Sequence, residues 1–291
     1  MENSIKVVSI VGPTASGKTK LSVELAKHFN GEIVSADSMQ IYSGMQIATA
    51  KPTKAEMDGV PHHMMGFLPP DKTYSVASYV NDASKCIADI HSRGMLPFIV
   101  GGTGLYVDSL LNNISFSDDK RDEEYCLRLR KIGEEDGTDR LLDMLSEFDP
   151  ESAQRLRGGR NIKRIIRAIE FYKTTGKTIT EQIKESHNIP SPYSAVKLGL
   201  NCRDRQVLYD RINRRVDIML DEGLLEEAQR VINSELSYTS VKAIGYKELI
   251  PYFNGSKSLN DCVEKLKMET RRYAKRQITW FKRDTEINWI Y

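Results

Sequence analysis

Val7-Val8-Ser9-Ile10-Val11 runs without a break into Gly12-Pro13-Thr14-Ala15-Ser16-Gly17-Lys18-Thr19, and this junction decides the fold. The first stretch is apolar and rich in β-branched residues, as a buried strand is. The second fills every fixed position of the phosphate-loop pattern G-x-x-x-x-G-K-[S/T]. In such a loop, backbone N–H groups converge with those of the helix that follows, so a polyanion meets them together with the Lys18 ammonium and a magnesium ion held by Thr19. A chance glycine-rich turn is the alternative, and the order strand, loop, helix weighs against it. The helix places Leu21, Leu25 and Phe29 on one face with Val23 and Ala26 flanking, and stops near Asn30-Gly31. A phosphate loop says only that something phosphorylated binds, which leaves a kinase, an ATPase and a transferase that expels pyrophosphate open.

The rest of the chain extends the βα pattern. A second strand, Glu32 to Ala36, ends at Asp37-Ser38, and a proline-broken polar stretch follows from Thr49 to Lys72. A helix from about Ser75 to Arg93 leads into a third strand, Leu96 to Val100, which ends in Gly101-Gly102-Thr103-Gly104. From Asp118 to about Glu185 the pattern turns helical, for instance Leu127, Leu129 and Ile132, then Leu141, Leu142, Leu145 and Phe148. A strand over Ala195 to Cys202 returns the chain to the sheet, and helices fill Asp204 to about Arg283 before a short terminal strand, Ile287 to Tyr291. The expected fold is α/β, a P-loop NTPase-like parallel sheet covered by helices. Its expected segments are a first core part over 1–115, a helical insertion over 116–194, and core completion with basic helices over 195–291.

Composition bounds the class. With 291 residues, 40% hydrophobic and 28% charged, the chain is an ordinary globular one. No stretch approaches the roughly 18 consecutive apolar residues of a membrane span, and Met1-Glu2-Asn3-Ser4 leads into a strand rather than a signal peptide, so no membrane association and a cytoplasmic location are expected. Cys86, Cys126, Cys202 and Cys262 lie far apart with no zinc spacing and read as buried or free thiols. The net charge of +2 is unremarkable, but its distribution is not. Arg155, Arg157, Arg160, Lys163, Arg164 and Arg167 follow one another without an acid, and a second basic run from Lys265 to Arg283 is interleaved with Tyr273, Trp280 and Phe281. Such segregation suits a phosphate-backbone partner, against the alternative of solvated helix faces.

Ligands of open parallel sheets sit beyond the carboxyl ends of the strands. That rule brings together the phosphate loop, Asp37 and Gly101 to Thr103. The third strand lacks the aspartate that assists magnesium in ordinary P-loop NTPases, which weakens a motor-ATPase reading.

Six blocks in order, Gly12 to Thr19, Ser35 to Tyr42, Ala48 to Pro52, Gly101 to Tyr106, Lys242 to Lys247 and Lys275 to Phe281, resemble the signature blocks of the tRNA dimethylallyltransferase family over nearly the whole chain. The resemblance is to the bacterial type, since no zinc-finger pattern of the eukaryotic members is recognisable. It implies transfer of a dimethylallyl group from dimethylallyl diphosphate to N6 of the adenosine next to the anticodon, in tRNAs reading codons that begin with U. An exocyclic adenine amine is a poor nucleophile, so a base helps as the N–C bond forms, and Asp37 matches the family aspartate that contacts N6. A turn aspartate is the plainer reading of Asp37. Carbon 1 of the donor is allylic, so diphosphate leaves once its growing charge is met. Gly12, Pro13, Thr14, Ala15, Ser16, Gly17, Lys18 and Thr19 with Mg2+ supply that, joined by Arg215, which matches the family's diphosphate-binding arginine, and by Arg211 as a second candidate. Lys18 and Arg215 stand with Asp37 as the catalytic set.

The same resemblance assigns RNA contact to Asp37, Ser38, Met39 and Gln40, to Thr103, to Lys163, Arg164, Ile165, Ile166 and Arg167, and to Lys242, Ala243, Ile244, Gly245, Tyr246 and Lys247. The target base must leave its stack, which costs least in the single-stranded anticodon loop. His62 and His63 read as structural loop residues. A small-molecule P-loop kinase, an isopentenyltransferase acting on free adenine nucleotides and a non-enzymatic RNA-binding module remain as alternatives. The basic C-terminal third disfavours the first, the RNA-contacting blocks the second, and the phosphate loop with Asp37 the third. A monomer is expected.

Overall fold

The computed structural model describes residues 4–114, 122–159, 161–188, 190–237, 240 and 243–291, with the side chains of 186–188 left aside. Arg160, Lys242 and the acidic residues of 118–121 lie outside the described residues. The chain separates into two compact units, Met1–Leu111 with Pro192–Tyr291, and Asn112–Ser191.

The first unit begins β1 (Ile5–Val11), α1 (Lys18–His28), β2 (Gly31–Ser35), α2 (Lys54–Met57), β3 (His62–His63), α3 (Val76–Ser92), β4 (Leu96–Gly101) and α4 (Gly104–Leu111). The second unit is helical among its described residues: α5 (Glu123–Glu135), α6 (Thr138–Ser146), α7 (Pro150–Arg157), α8 (Ile162–Thr175) and α9 (Ile179–Asn188). The first unit then resumes with β5 (Tyr193–Leu200), α10 (Arg205–Asp221), α11 (Leu224–Ile232), α12 (Ile250–Phe253), α13 (Leu259–Phe281) and β6 (Asn288–Ile290).

The sheet has the order β3-β2-β4-β1-β5-β6. Every adjacent pair is parallel, and the register sets Val11 beside Gly101 of β4 and Gly199 of β5. Alternation along the strands feeds two cores. Val7, Val11, Val34 and Ile99 pack with Tyr79, Ala83 and Ile87 of α3 and Tyr106 and Leu110 of α4. Ile10, Ile33 and Phe98 turn the other way, onto Val23 and Ala26 of α1. Each such side chain, when fully buried, contributes about 1.5–3 kcal/mol, so the two faces together hold the sheet between its helices. A third cluster joins Ile41, Tyr42 and Met45, beyond β2, to α10, α11, α13 and the segment Ala243 to Leu249. The second unit has its own core, in which Leu129, Leu141, Leu145, Ile165 and Ile169 meet.

Several expectations shift. The strand expected over Ala195 to Cys202 occupies Tyr193–Leu200, because its pairing with β1 starts at Ile5 opposite Tyr193. The buried face of α1 is Ser22, Val23 and Ala26, whereas Phe29 sits at the C-cap and is 54% exposed. In α5 the buried positions are Cys126 and Leu129, and Leu127 faces outward. His62 and His63, read as loop, form β3 against Ile33 and Val34. His63 Nε2 lies 2.7 Å from Glu32 Oε2, and Arg93 donates to both oxygens of the same carboxylate. The terminal strand is Asn288–Ile290, within the expected stretch.

Candidate active site

A pocket of about 470 Å³ opens at the carboxyl ends of β1, β2 and β4, and it is built wholly from the first unit. Its floor is the phosphate loop. Gly12, Ala15 and Gly17 adopt positive φ values of 144°, 61° and 94°, which turn the backbone of the loop into a cradle before α1 starts. Gly12 has a second reason to be glycine, since a Cβ there would stand 2.3 Å from the Leu200 carbonyl oxygen. No side chain caps α1 at Gly17, so its first N–H groups stay available to an anion. Thr14, Ala15, Ser16, Gly17, Lys18 and Thr19 all line the pocket. Gly12 and Pro13 form the back of the loop, and Lys18 Nζ donates to the Pro13 carbonyl at 2.6 Å.

Asp37 stands across the pocket, two residues past β2. Its Oδ1 accepts from Met39 N–H at 2.9 Å, which closes the turn that carries it. Burial nevertheless raises its carboxyl above the ordinary range, and the Met39 N–H and the Lys18 and Arg215 charges only partly oppose the shift. Lys18 is pushed down to about 7 by burial, aided by Arg215 and opposed by Asp37. Arg215, on α10, reaches in from a distant part of the chain, with Nη1 donating to Thr14 Oγ1 at 3.2 Å. Three ionisable groups thus share one desolvated space, an arrangement typical of sites that bind charge or move protons.

The turn after β4 completes the wall. Gly101 backs onto β2 so closely that a Cβ would meet the Ala36 carbonyl oxygen at 2.1 Å. Thr103 Oγ1 accepts from Ser38 N–H at 3.0 Å, which ties this turn to the Asp37 turn. Gln40 is held by Ser35 and by the carbonyls of Thr49 and Ala50. Ser38, Met39, Gln40, Ala243, Ile244, Gly245 and Lys247 line the pocket, whereas Tyr246 is buried behind it.

Other candidate residues lie elsewhere. Arg211 does not line the pocket; its guanidinium approaches Cys202 Sγ at 3.6 Å. Lys163, Arg164 and Arg167 belong to the second unit, where Lys163 and Arg164 are exposed and Arg167 pairs with Glu170. Ile165 and Ile166 are 0% and 3% exposed and belong to that unit's core, so their side chains hold α8 in place rather than face a ligand. Sequence reasoning assigns no role to Tyr273 and Gln277 of α13 or Met219 of α10, which also line the pocket. Gln277 lies within the Lys275 to Phe281 block, and Tyr273 one helical turn before it shares its helix face, which is the signal that could have found both.

A metal can be judged from the donors. Among the described residues no group of three or more His, Cys, Asp or Glu side chains could hold an ion. Thr19 lies on the pocket wall, and the buried Ser16 Oγ beside it has no hydrogen-bond partner. This donor set fits magnesium in the way phosphate loops hold it, with one protein hydroxyl and the remaining oxygens from substrate and water.

Comparison with known proteins agrees with this architecture. A family profile described as IPP transferase matches residues 40–284, and one described as isopentenyl transferase matches residues 5–65. The tRNA dimethylallyltransferase of Halalkalibacterium halodurans is 48% identical over 286 residues, covering 98% of this chain and 90% of that protein. The protein of the same name from Caldanaerobacter subterraneus subsp. tengcongensis is 49% identical over 293 residues, covering 99% and 92%. Among solved structures, the full-length tRNA isopentenylpyrophosphate transferase of Bacillus halodurans superimposes with a TM-score of 0.72 at 46% identity, covering 98% of this chain and 89% of that one. A eukaryotic dimethylallyltransferase acting on tRNA gives 0.79 at 32% identity, with 96% and 70% covered. The chain belongs to the tRNA dimethylallyltransferase family of prenyl transferases.

Proposed function

We propose that this protein transfers a dimethylallyl group from dimethylallyl diphosphate to N6 of the adenosine next to the anticodon in tRNAs reading codons that begin with U, releasing diphosphate. The observation that carries this reading is that one pocket is lined both by the phosphate loop and by the half-buried, desolvated Asp37 carboxylate. The diphosphate lies in the loop, where Lys18, Arg215 and the amides from Ala15 to Lys18 meet its charge. Lys18 leaves the Pro13 carbonyl for the phosphate oxygens, and Arg215 reaches the anion while bonded to Thr14. Thr19 would hold magnesium, which neutralises part of the charge on the leaving group.

The adenine, turned out of the anticodon loop, enters the pocket beside Asp37 and the Gly101-Gly102 turn. Its N6 lone pair attacks carbon 1 of the donor. The N–C bond forms, the C–O bond to diphosphate breaks, and Asp37 takes the proton lost from N6. Desolvation makes that carboxylate a stronger base than a surface aspartate, and it acts without diverting water to the allylic carbon. Exposed Lys163 and Arg164 of the second unit supply phosphate-backbone contacts.

Single-turnover transfer from dimethylallyl diphosphate to an anticodon stem-loop, compared for the wild type and Asp37→Asn, tests this reading. The variant should lose about 10²- to 10⁴-fold in the chemical step while both substrates still bind. Unchanged turnover at saturating substrate would remove Asp37 as the base.

A further inference from the structure

Gln277 is a buried polar side chain, 5% exposed, on α13. Its Oε1 accepts from Thr14 N–H of the phosphate loop at 2.8 Å, and its Nε2 donates to the Gly102 carbonyl at 3.0 Å. Both ends of one amide are thus committed to two pieces of backbone that come from different strand ends. The fit is close, because a Cβ on Gly102 would stand 2.0 Å from Nε2. Gly102 precedes Thr103, whose hydroxyl accepts from Ser38 N–H next to Asp37. A continuous path therefore runs from the diphosphate cradle through Gln277 to the turn that carries the base.

We propose that Gln277 is a positioning residue that sets the spacing between the donor's phosphate loop and the acceptor-base turn, so that its loss lowers kcat rather than substrate affinity. The inference rests on the transfer reading above. In-line attack needs N6 and carbon 1 held close and aligned, and displacement by about 1 Å is enough to cost on the order of 10²-fold in rate. The phosphate loop on one side and the Asp37 turn on the other would each keep their own contacts, so each substrate would still bind.

The test is steady-state transfer from dimethylallyl diphosphate to an anticodon stem-loop by the wild type, Gln277→Met, Gln277→Glu and Gly102→Ala. Methionine fills the same space and forms neither hydrogen bond. It should lower kcat about 10- to 100-fold and move either KM by less than about threefold. Gly102→Ala displaces the same amide from the other side and should share the kcat loss. In Gln277→Glu the introduced carboxyl, when protonated, can accept from Thr14 N–H and donate to the Gly102 carbonyl, but as a carboxylate it cannot donate. The kcat of Gln277→Glu relative to wild type should therefore rise as pH falls through the titration of that buried carboxyl, while the Gln277→Met ratio stays flat. A folded Gln277→Met with kcat within about twofold of wild type, a loss carried by KM, or parallel pH profiles for the two variants would overturn the proposal. If Gln277→Met fails to fold, the pH profile of Gln277→Glu decides alone. The wild type in every series keeps the two claims apart: no product from it would overturn the transfer reading and this inference with it, whereas product from it leaves Gln277 judged on the variants.

Discussion

At the scale of single residues, the pocket is defined by charges removed from water. Lys18 is pushed down to about 7, so in the free protein it loses its proton as pH rises through neutrality. A bound diphosphate favours the ammonium and raises that value again. Arg215, from α10, works in the opposite direction, and Asp37, after β2, in the same direction as the anion. The sign follows: well below pH 7 Lys18 is charged before and after binding, whereas above it binding must take up a proton. Calorimetry of inorganic pyrophosphate binding in buffers of different ionisation enthalpy should show this. At about pH 8, wild type should take up close to one more proton than Lys18→Met. Equal proton uptake by the two would contradict the description of Lys18.

Among the elements, the loops around the pocket are held by one buried carboxylate. Glu227 of α11 accepts from the N–H groups of Gln46, Ile47 and Ala48 and from the Tyr246 hydroxyl, at 2.8–3.0 Å. These donors fix the loop before Pro52 against the Ala243 to Lys247 segment, and Gly245 meets Ala48 where a Cβ would be 2.7 Å from its methyl. Glu227→Gln replaces an acceptor by an NH2 group that faces N–H donors. It should lower the unfolding free energy by about 2–4 kcal/mol, read as a lower urea midpoint at unchanged slope. A midpoint equal to wild type would show that the loops stand without it.

This contact also marks where sequence reading stops. The phosphate loop and the strands around it are legible because their signals are local: a β-branched run, glycines at fixed spacing, and a Lys-Thr pair opening a helix. Asp37 and Gly101 to Thr103 follow from the rule that strand ends carry the site. Glu227 looks no different from its neighbour Glu226 in α11, because the amides that it holds lie some 180 residues earlier. Gln277 is separated from Thr14 by 263 residues, and no periodicity reports such a pairing. β3 escapes notice since a strand of two residues has no alternation to read, and Phe29 falls off the buried face of α1 because the helical period extends one residue past the helix. The expectation for Arg215 and the positions expected to contact RNA come from family resemblance rather than from spacing.

Over the whole molecule, charge is arranged less simply than the order of residues suggests. In the C-terminal basic run, Lys265 and Arg272 both pair with Glu269, and Lys267 pairs with Asp217 and Glu264. Such surface pairs contribute about 0–1 kcal/mol and exchange readily for phosphates, so they moderate the basic face without removing it. Arg276, by contrast, lies on the pocket wall. Exposed Lys163 and Arg164 in the second unit add cations on a separately folded body. Among the described residues no helix is long and apolar enough to cross a membrane. A protein that needed only a nucleotide-sized acceptor would have little use for this much basic surface outside the pocket. The choice between RNA and free nucleotide is therefore the most direct test. Purified protein with magnesium and dimethylallyl diphosphate should be offered an unmodified anticodon stem-loop or free AMP, and the nucleosides examined by mass spectrometry. One dimethylallyl group on the stem-loop adenosine and none on AMP is the expected result; modified AMP with an untouched stem-loop would contradict it.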